Sequence, residues 1–145
     1  MKKIMILLIF LIVNLNLFAL NFSISPTKFQ VDLNNKKTYE LTIFNNTGKP
    51  LRCVAYIEDV PNMKSLKPNI KIFPPKISIK PGGKNIIRFT IKNIGNLEKG
   101  NYDNLLVIKE KKPSMILENE DNNEELSFSL NIITEIALHI VGAKD

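Results

Sequence analysis

The chain has 145 residues, a net charge of +6, one cysteine and one histidine. That length suits one domain with one core once an N-terminal leader is set aside. A lone cysteine excludes an internal disulfide, and one cysteine with one histidine cannot furnish a multi-ligand zinc site without several carboxylates.

The chain opens "MKKIMILLIFLIVNLNLFALNFS": Lys2 and Lys3, an apolar run from Ile4 to Val13, then Asn14, Asn16 and small Ala19. This is the grammar of a secretory signal peptide. Cleavage is expected after Ala19, giving a signal peptide over 1–19 and a single domain over 20–145. The apolar run is shorter than the ~20 residues a spanning helix needs. No stable membrane insertion is therefore expected after cleavage; an uncleaved anchor is the rival outcome. No cysteine lies near the cut, which excludes a lipid anchor on a new N-terminal cysteine.

Short alternating segments separated by turn residues fill the remainder. "FSISPTKFQVDL" reads as a first strand interrupted at Pro26, a break that edge strands tolerate. "KKTYELTIFN" sets Tyr39, Leu41 and Ile43 on one face against Thr38, Glu40 and Thr42. After the turn "NNTGKP", "LRCVAYIE" sets Leu51, Cys53, Ala55 and Ile57 against Arg52, Tyr56 and Glu58. "IKIFPPKISI" is extended and proline-broken, as a short strand crossing a sheet edge would be. In "KPGGK", Pro81 presets φ and Gly82 accepts the positive φ of a type II turn. "NIIRFTIK" turns Ile87, Phe89 and Ile91 one way, and "NYDNLLVIKE" is the next strand.

The last segment, "LSFSLNIITEIALHI" (Leu126–Ile140), is apolar at every even position except Thr134. Its length exceeds the ~5–6 residues of an ordinary strand. Ile136–Ile140 is expected to face the core and Phe128–Ile132 to be at least partly available. About seven strands, no helix after the leader and regular turn signals point to an all-β fold. Its form is an immunoglobulin-like sandwich of antiparallel strands.

Between Pro61 and Leu97 lie eight basic residues and no acidic one, whereas the acids gather in "ENEDNNEE" within the 114–125 loop. Solvated strand faces and an acidic loop account for both. A nucleic-acid partner is not expected, for the chain is exported and lacks a basic-aromatic motif. His139 sits on the polar side of the final strand, and Cys53 shares the parity of Leu51 and Ile57, so a Cys53–His139 nucleophilic pair is not expected. No nucleophile elbow, dinucleotide fingerprint or phosphate-cradling loop is present. The expectation is no enzyme, no cofactor and no metal.

"FPPKISIKPGGKNIIRFTI" resembles the N-terminal domain of periplasmic pilus-assembly chaperones. Pro74, Pro75, Pro81, Gly82 and Arg88 carry the resemblance, with apolar residues in register between them. The flanking strands follow the same pattern, which other sandwich families share, the sperm-protein-like domains among them. The resemblance implies a donor strand that lends alternate apolar side chains to an incomplete subunit, here Phe128, Leu130 and Ile132. It also implies a basic pair gripping a terminal carboxylate. Lys28 matches one member; Ala137 falls at the other and cannot donate. Asn101 stands where the family has an acid, with Asp103 two residues on, and the family's second sandwich is not expected before Asp145.

Two functions follow. One is an exported, periplasmic chaperone-like protein that binds a pilin-like or other secreted subunit by β-strand addition and assists pilus or envelope assembly. The alternative is a structural or adhesive module of the envelope or cell surface that keeps its last strand to itself. A homodimer through the edge strand is a further partner such an edge admits.

Overall fold

The computed structural model describes residues 20–112 and 132–145. Local alternation decides which side of each strand faces inward. In β3 (Thr38–Asn45) Leu41 and Ile43 are buried while Thr38 and Glu40 are exposed. Leu51, Cys53, Ala55 and Ile57 are buried along β4 (Leu51–Asp59), and Ile87, Phe89 and Ile91 along β7 (Lys84–Ile91). β8 (Gly100–Glu110) and β9 (Glu135–Lys144) complete the long strands.

The two proline-broken segments each divide. β1 (Phe22–Ser25) and β2 (Phe29–Asp32) flank Pro26; β5 (Ile70–Phe73) and β6 (Lys76–Ile79) flank Pro74 and Pro75. Ser25–Pro26 and Phe73–Pro74 are cis. The halves go to different layers, in a four-stranded sheet of order β1-β3-β7-β5 and a five-stranded sheet of order β2-β9-β8-β4-β6. Counting each divided segment once recovers the seven strands of the sequence pattern. One departure is topological: β2 runs parallel to β9, Phe29 opposite Ile140. The sandwich is therefore not wholly antiparallel. Among the described residues the only helical element is a 3₁₀ turn at Ile94–Asn96.

Side chains from both sheets fill the space between them. Phe29 meets Phe89 edge-on at 4.9 Å, and Tyr39 stacks on Phe89 at 5.1 Å. The Tyr39 hydroxyl accepts a 2.7 Å bond from the Asp32 amide, so the small strand β2 is tied to the opposite sheet. Gly82 has φ +64°, as its turn requires.

Two buried asparagines hold loops to the sandwich. Asn45 Nδ2 donates to Lys49 O at 2.7 Å and lies within reach of the Ile79 and Lys80 carbonyls, while its Oδ1 accepts from the Thr47 amide. Asn104 Oδ1 accepts from the Leu66 amide at 2.6 Å, and its Nδ2 faces Glu58 O, Asp59 Oδ1 and Ser65 Oγ. Asn104→Ala would strand the Leu66 amide inside the protein at a cost of about 1–3 kcal/mol. Its denaturant midpoint is expected to fall with an unchanged m-value. Burial, and secondarily Glu110, pushes the Cys53 thiol up to about 11. A thiol reagent at about pH 8 is therefore expected to label the protein only after unfolding.

Candidate functional site: the open half of strand β9

β9 pairs with β8 along its whole length, from Lys109 opposite Glu135 to Gly100 opposite Lys144. On its other side β2 covers only Ile140–Ala143. Among the described residues, Glu135–His139 thus has a strand on one flank and none on the other. The cause is the break at Pro26. Had β1 run straight into β2, Ser25–Lys28 would lie alongside Ile136–His139. Instead β1 crosses to the other sheet and pairs with β3, Ser25 opposite Thr42.

The entry to this edge is clamped by one carboxylate. Glu110 donates its amide to Thr134 O at 2.9 Å, and its Oε2 accepts from the Thr134 amide at 3.2 Å and from Asn21 Nδ2 at 2.9 Å. Thr134 is buried there. Just upstream, Ile133 is 50% and Ile132 60% exposed. Residues 132–134 are not in a strand, so the continuous strand that the alternation suggests begins, in its described part, only at Glu135.

Along the open half, Leu138 is buried and Ile136 half-buried against the core, while Glu135, Ala137 and His139 face outward and are exposed. Lys109 Nζ reaches Glu135 Oε2 at 3.0 Å, and the bond and charge of Glu135 raise the lysine above its ordinary value. His139 Nδ1 lies 2.9 Å from Asp103 Oδ1. Between these pairs Val107 is buried although it lies on the outward face, flanked by Tyr56 and Ala137.

The residues expected to bind a partner are only partly brought together. Phe128 and Leu130, like the acidic loop, lie outside the described residues. Ile132 is exposed, as a donor residue must be. Lys28 is exposed one residue before Phe29 and so enters the sheet beside His139. Ala137 offers no donor; the nearest alternative on β9 is His139, and the sequence hint is its i+2 spacing on the same face. Pro74, Pro75, Pro81 and Gly82 form the other crossover and a turn. Arg88 bonds Glu40 at 2.6 Å on the outer face of the four-stranded sheet, away from β9. These motif residues shape the sandwich and contribute nothing to the edge. Cys53 faces the core and His139 faces outward with β8 between their strands, so the pair does not meet. Among the described residues no three His, Cys, Asp or Glu side chains cluster to hold a metal, and no helix is long and apolar enough to cross a membrane.

No protein-family model matches the chain, and no curated protein matches it. Solved structures do. The periplasmic chaperone SfaE superposes with a TM-score of 0.62 at 15% identity, over 84% of this chain and 57% of its own. The chaperone SafB, in a structure with the Salmonella enterica pilin SafA, belongs to a match with a TM-score of 0.63, 14% identity, and 88% and 56% coverage. SSP-19 of Caenorhabditis elegans, an MSP-domain-like protein, matches with a TM-score of 0.55 at 10% identity, over 84% of this chain and 99% of its own. The shared feature is the fold, that of periplasmic fimbrial chaperones, and the chain spans little more than half the length of those chaperone structures.

The parallel β2–β9 pairing sets where the open edge ends, and it depends on Gly142. A Cβ there would meet Val31 Cγ2 at 2.8 Å and both Leu33 Cγ and Val31 O at 3.0 Å. Gly142→Ala is expected to cost about 1–3 kcal/mol through overpacking. Hydrogen exchange should quicken at Phe29–Asp32 while the β8–β9 amides stay protected; unchanged β2 protection would show that the glycine is not what seats it.

Proposed function

We propose that this protein is an exported, periplasmic chaperone that binds a pilin-like or other secreted subunit by β-strand addition along β9, assisting pilus or envelope assembly. One observation carries the reading. Among the described residues Glu135–His139 has unpaired backbone on one flank, and two exposed isoleucines lead into it. An added strand would take its backbone hydrogen bonds from that flank. Alternate apolar side chains upstream would enter the client, with Ile132 the described member of the row and Phe128 and Leu130 supplied by the sequence alternation. Lys28, beside the edge, is placed to meet an anionic group of the client.

Other strands of the described sandwich are also only partly covered: β1 reaches β3 only over Thr42–Asn45, and β6 reaches β4 only over Leu51–Val54. β7 is paired by β5 only over Arg88–Ile91. In its uncovered half the Ile86 amide is taken by Asn85 Oδ1 at 2.8 Å, and Asn85 Nδ2 reaches Ser78 O. One amide of that edge is thus met by a side chain; no side chain bonds the backbone of Glu135–His139 among the described residues. The near-complete match to SSP-19 favours a second reading, a single sandwich serving as a structural module without a client.

Hydrogen exchange on the full chain separates the two. Weak protection over Phe128–Ile132 that rises with an immunoglobulin-like subunit lacking its last strand supports the chaperone; uniform protection from Phe128 to Ile140 without any partner supports the module. Leu130→Glu removes one apolar anchor worth about 1.5–3 kcal/mol. Capture of that truncated subunit should weaken about 10- to 100-fold with the thermal midpoint unchanged. Undiminished capture sinks the donor-row assignment.

A further inference from the structure

The two ends of the sandwich differ in charge. At one end lie the start of β1, the β3–β4 turn, the KPGGK turn between β6 and β7, and the last residues of β8. The Asn45 side chain reaches Lys49 O, Ile79 O and Lys80 O, and the Lys111 amide donates to Arg52 O at 2.8 Å, so these segments meet. Their cations, Lys49, Arg52, Lys80, Lys84, Lys111 and Lys112, are exposed, and none is in an ion pair among the described residues. The described acids here are already engaged: Glu110 accepts from Asn21 and Thr134, and Glu135 pairs with Lys109. The opposite end is about 25 Å away along the eight residues of β7. There Asp32, Asp59, Glu98 and Asp145 stand among the lysines, and Lys64 pairs with Glu98 at 3.0 Å.

Two further observations turn this basic end toward a membrane. Leu20, 58% exposed, and Phe44, 37% exposed, stand among the cations, Phe44 directly opposite Lys84. Exposed apolar side chains ringed by lysines suit the boundary between headgroups and acyl chains, where the apolar parts sink and the charged heads stay at the phosphates. The chain also enters at this end. Asn46 donates its amide to Asn21 O at 3.0 Å and its Nδ2 to Leu20 O at 3.2 Å, tying the first described residues to the β3–β4 turn. The apolar run Ile4–Val13 therefore joins the sandwich on the basic side. Were that run retained as an anchor, this end would face the bilayer; once it is cut after Ala19, the new α-amino group adds a cation there.

We propose that this basic end docks on an anionic phospholipid surface, with Lys49, Lys80 and Lys84 at the headgroups and Leu20 and Phe44 at the acyl boundary. Each lysine near an anionic leaflet strengthens binding about fivefold. A few of them give a reversible, salt-sensitive association and not an insertion. The inference rests neither on client capture nor on Ile132 and Ile133, which emerge at the same end and which the client reading assigns.

Co-sedimentation with vesicles, and a label at each end, test it. The core runs from Phe22 to Ile140, so the chain beginning at Leu20, the form expected after cleavage, is used without the leader's own affinity for lipid. Binding is expected to vesicles of phosphatidylcholine and phosphatidylglycerol in equal parts and not to phosphatidylcholine alone. It should vanish at about 1 M salt, where charges are screened within about 3 Å. Lys80→Gln with Lys84→Gln should weaken it about 25-fold with the thermal midpoint unchanged. Lys36→Gln with Lys67→Gln, at the far end, should change it by no more than about twofold. Gly48 and Gly95 lie in turns at the two ends, and a Cβ on either meets nothing within 4 Å. The native Cys53 thiol is buried and stays silent. A polarity-sensitive fluorophore should shift to the blue on the mixed vesicles from Gly48→Cys and not from Gly95→Cys. No binding, equal binding to neutral vesicles, equal loss from the far-end pair, or equal shifts at both ends overturns the proposal. So does binding that appears only after deletion of residues 114–125, which would make the chain's own acidic segment the partner of these lysines. Because no subunit is present, neither result bears on whether a client is captured.

Discussion

A strand that leaves its sheet halfway determines which described backbone this sandwich leaves uncovered. Up to Ser25 the first segment belongs to the four-stranded sheet; from Phe29 it belongs to the five-stranded one. Each half satisfies its own hydrogen bonds, yet neither covers Glu135–His139. Among the described residues the backbone there has no partner on one flank, and an unpaired row of amides and carbonyls is a template for another strand. The aromatic contacts of Phe29 with Tyr39 and Phe89, and the Asp32–Tyr39 bond, hold β2 to the far sheet. They stop it from sliding along β9 and closing the gap.

The sandwich has two such crossovers, and their edges are finished differently. At Pro74–Pro75 one amide on the exposed flank of β7, that of Ile86, is met from within by Asn85. At Pro26 the flank of β9 has a defined start, where Glu110 fixes Thr134, and a defined end, where β2 pairs with Ile140. A short edge with ionisable groups at both ends limits indiscriminate pairing, because a strand arriving in the wrong register meets charge where it needs its complement.

How much of this was legible along the chain depended on distance in sequence. Alternation in β3, β4 and β7 turned the right residues inward, since a strand's two faces are a local property. Prolines marked both crossovers, and KPGGK marked its turn. Partner choice is not local. Nothing near Phe29 announces that its neighbour is Ile140, or that the pairing is parallel. The bond between Glu110 and Thr134 spans 24 residues and that between Asn104 and Leu66 spans 38. In isolation each of these polar residues reads as a solvated strand or turn position. His139 reads in the same way, as a polar residue on an outward face, until folding sets Asp103 beside it. The family-like motif from Pro74 to Arg88 was the easiest feature to recognise, yet it lies on the crossover and sheet remote from the edge.

Backbone pairing and side-chain filling divide the work along the last segment. If an extended strand adds along Glu135–His139 as proposed, backbone pairing discriminates little between sequences, so discrimination must come from what flanks it. The described flanks are unequal. On the outer face Lys109, Glu135, His139 and Asp103 are already matched in pairs, and an incoming strand that carries the opposite charges continues the row instead of breaking a pair. Upstream, Ile132 and Ile133 stand in solvent with no partner among the described core residues. Such exposure is a standing cost in a free domain, offset only when another surface covers it. On the proposed reading the charged half sets register while the apolar half supplies most of the affinity, so a client that satisfies one half alone would bind weakly.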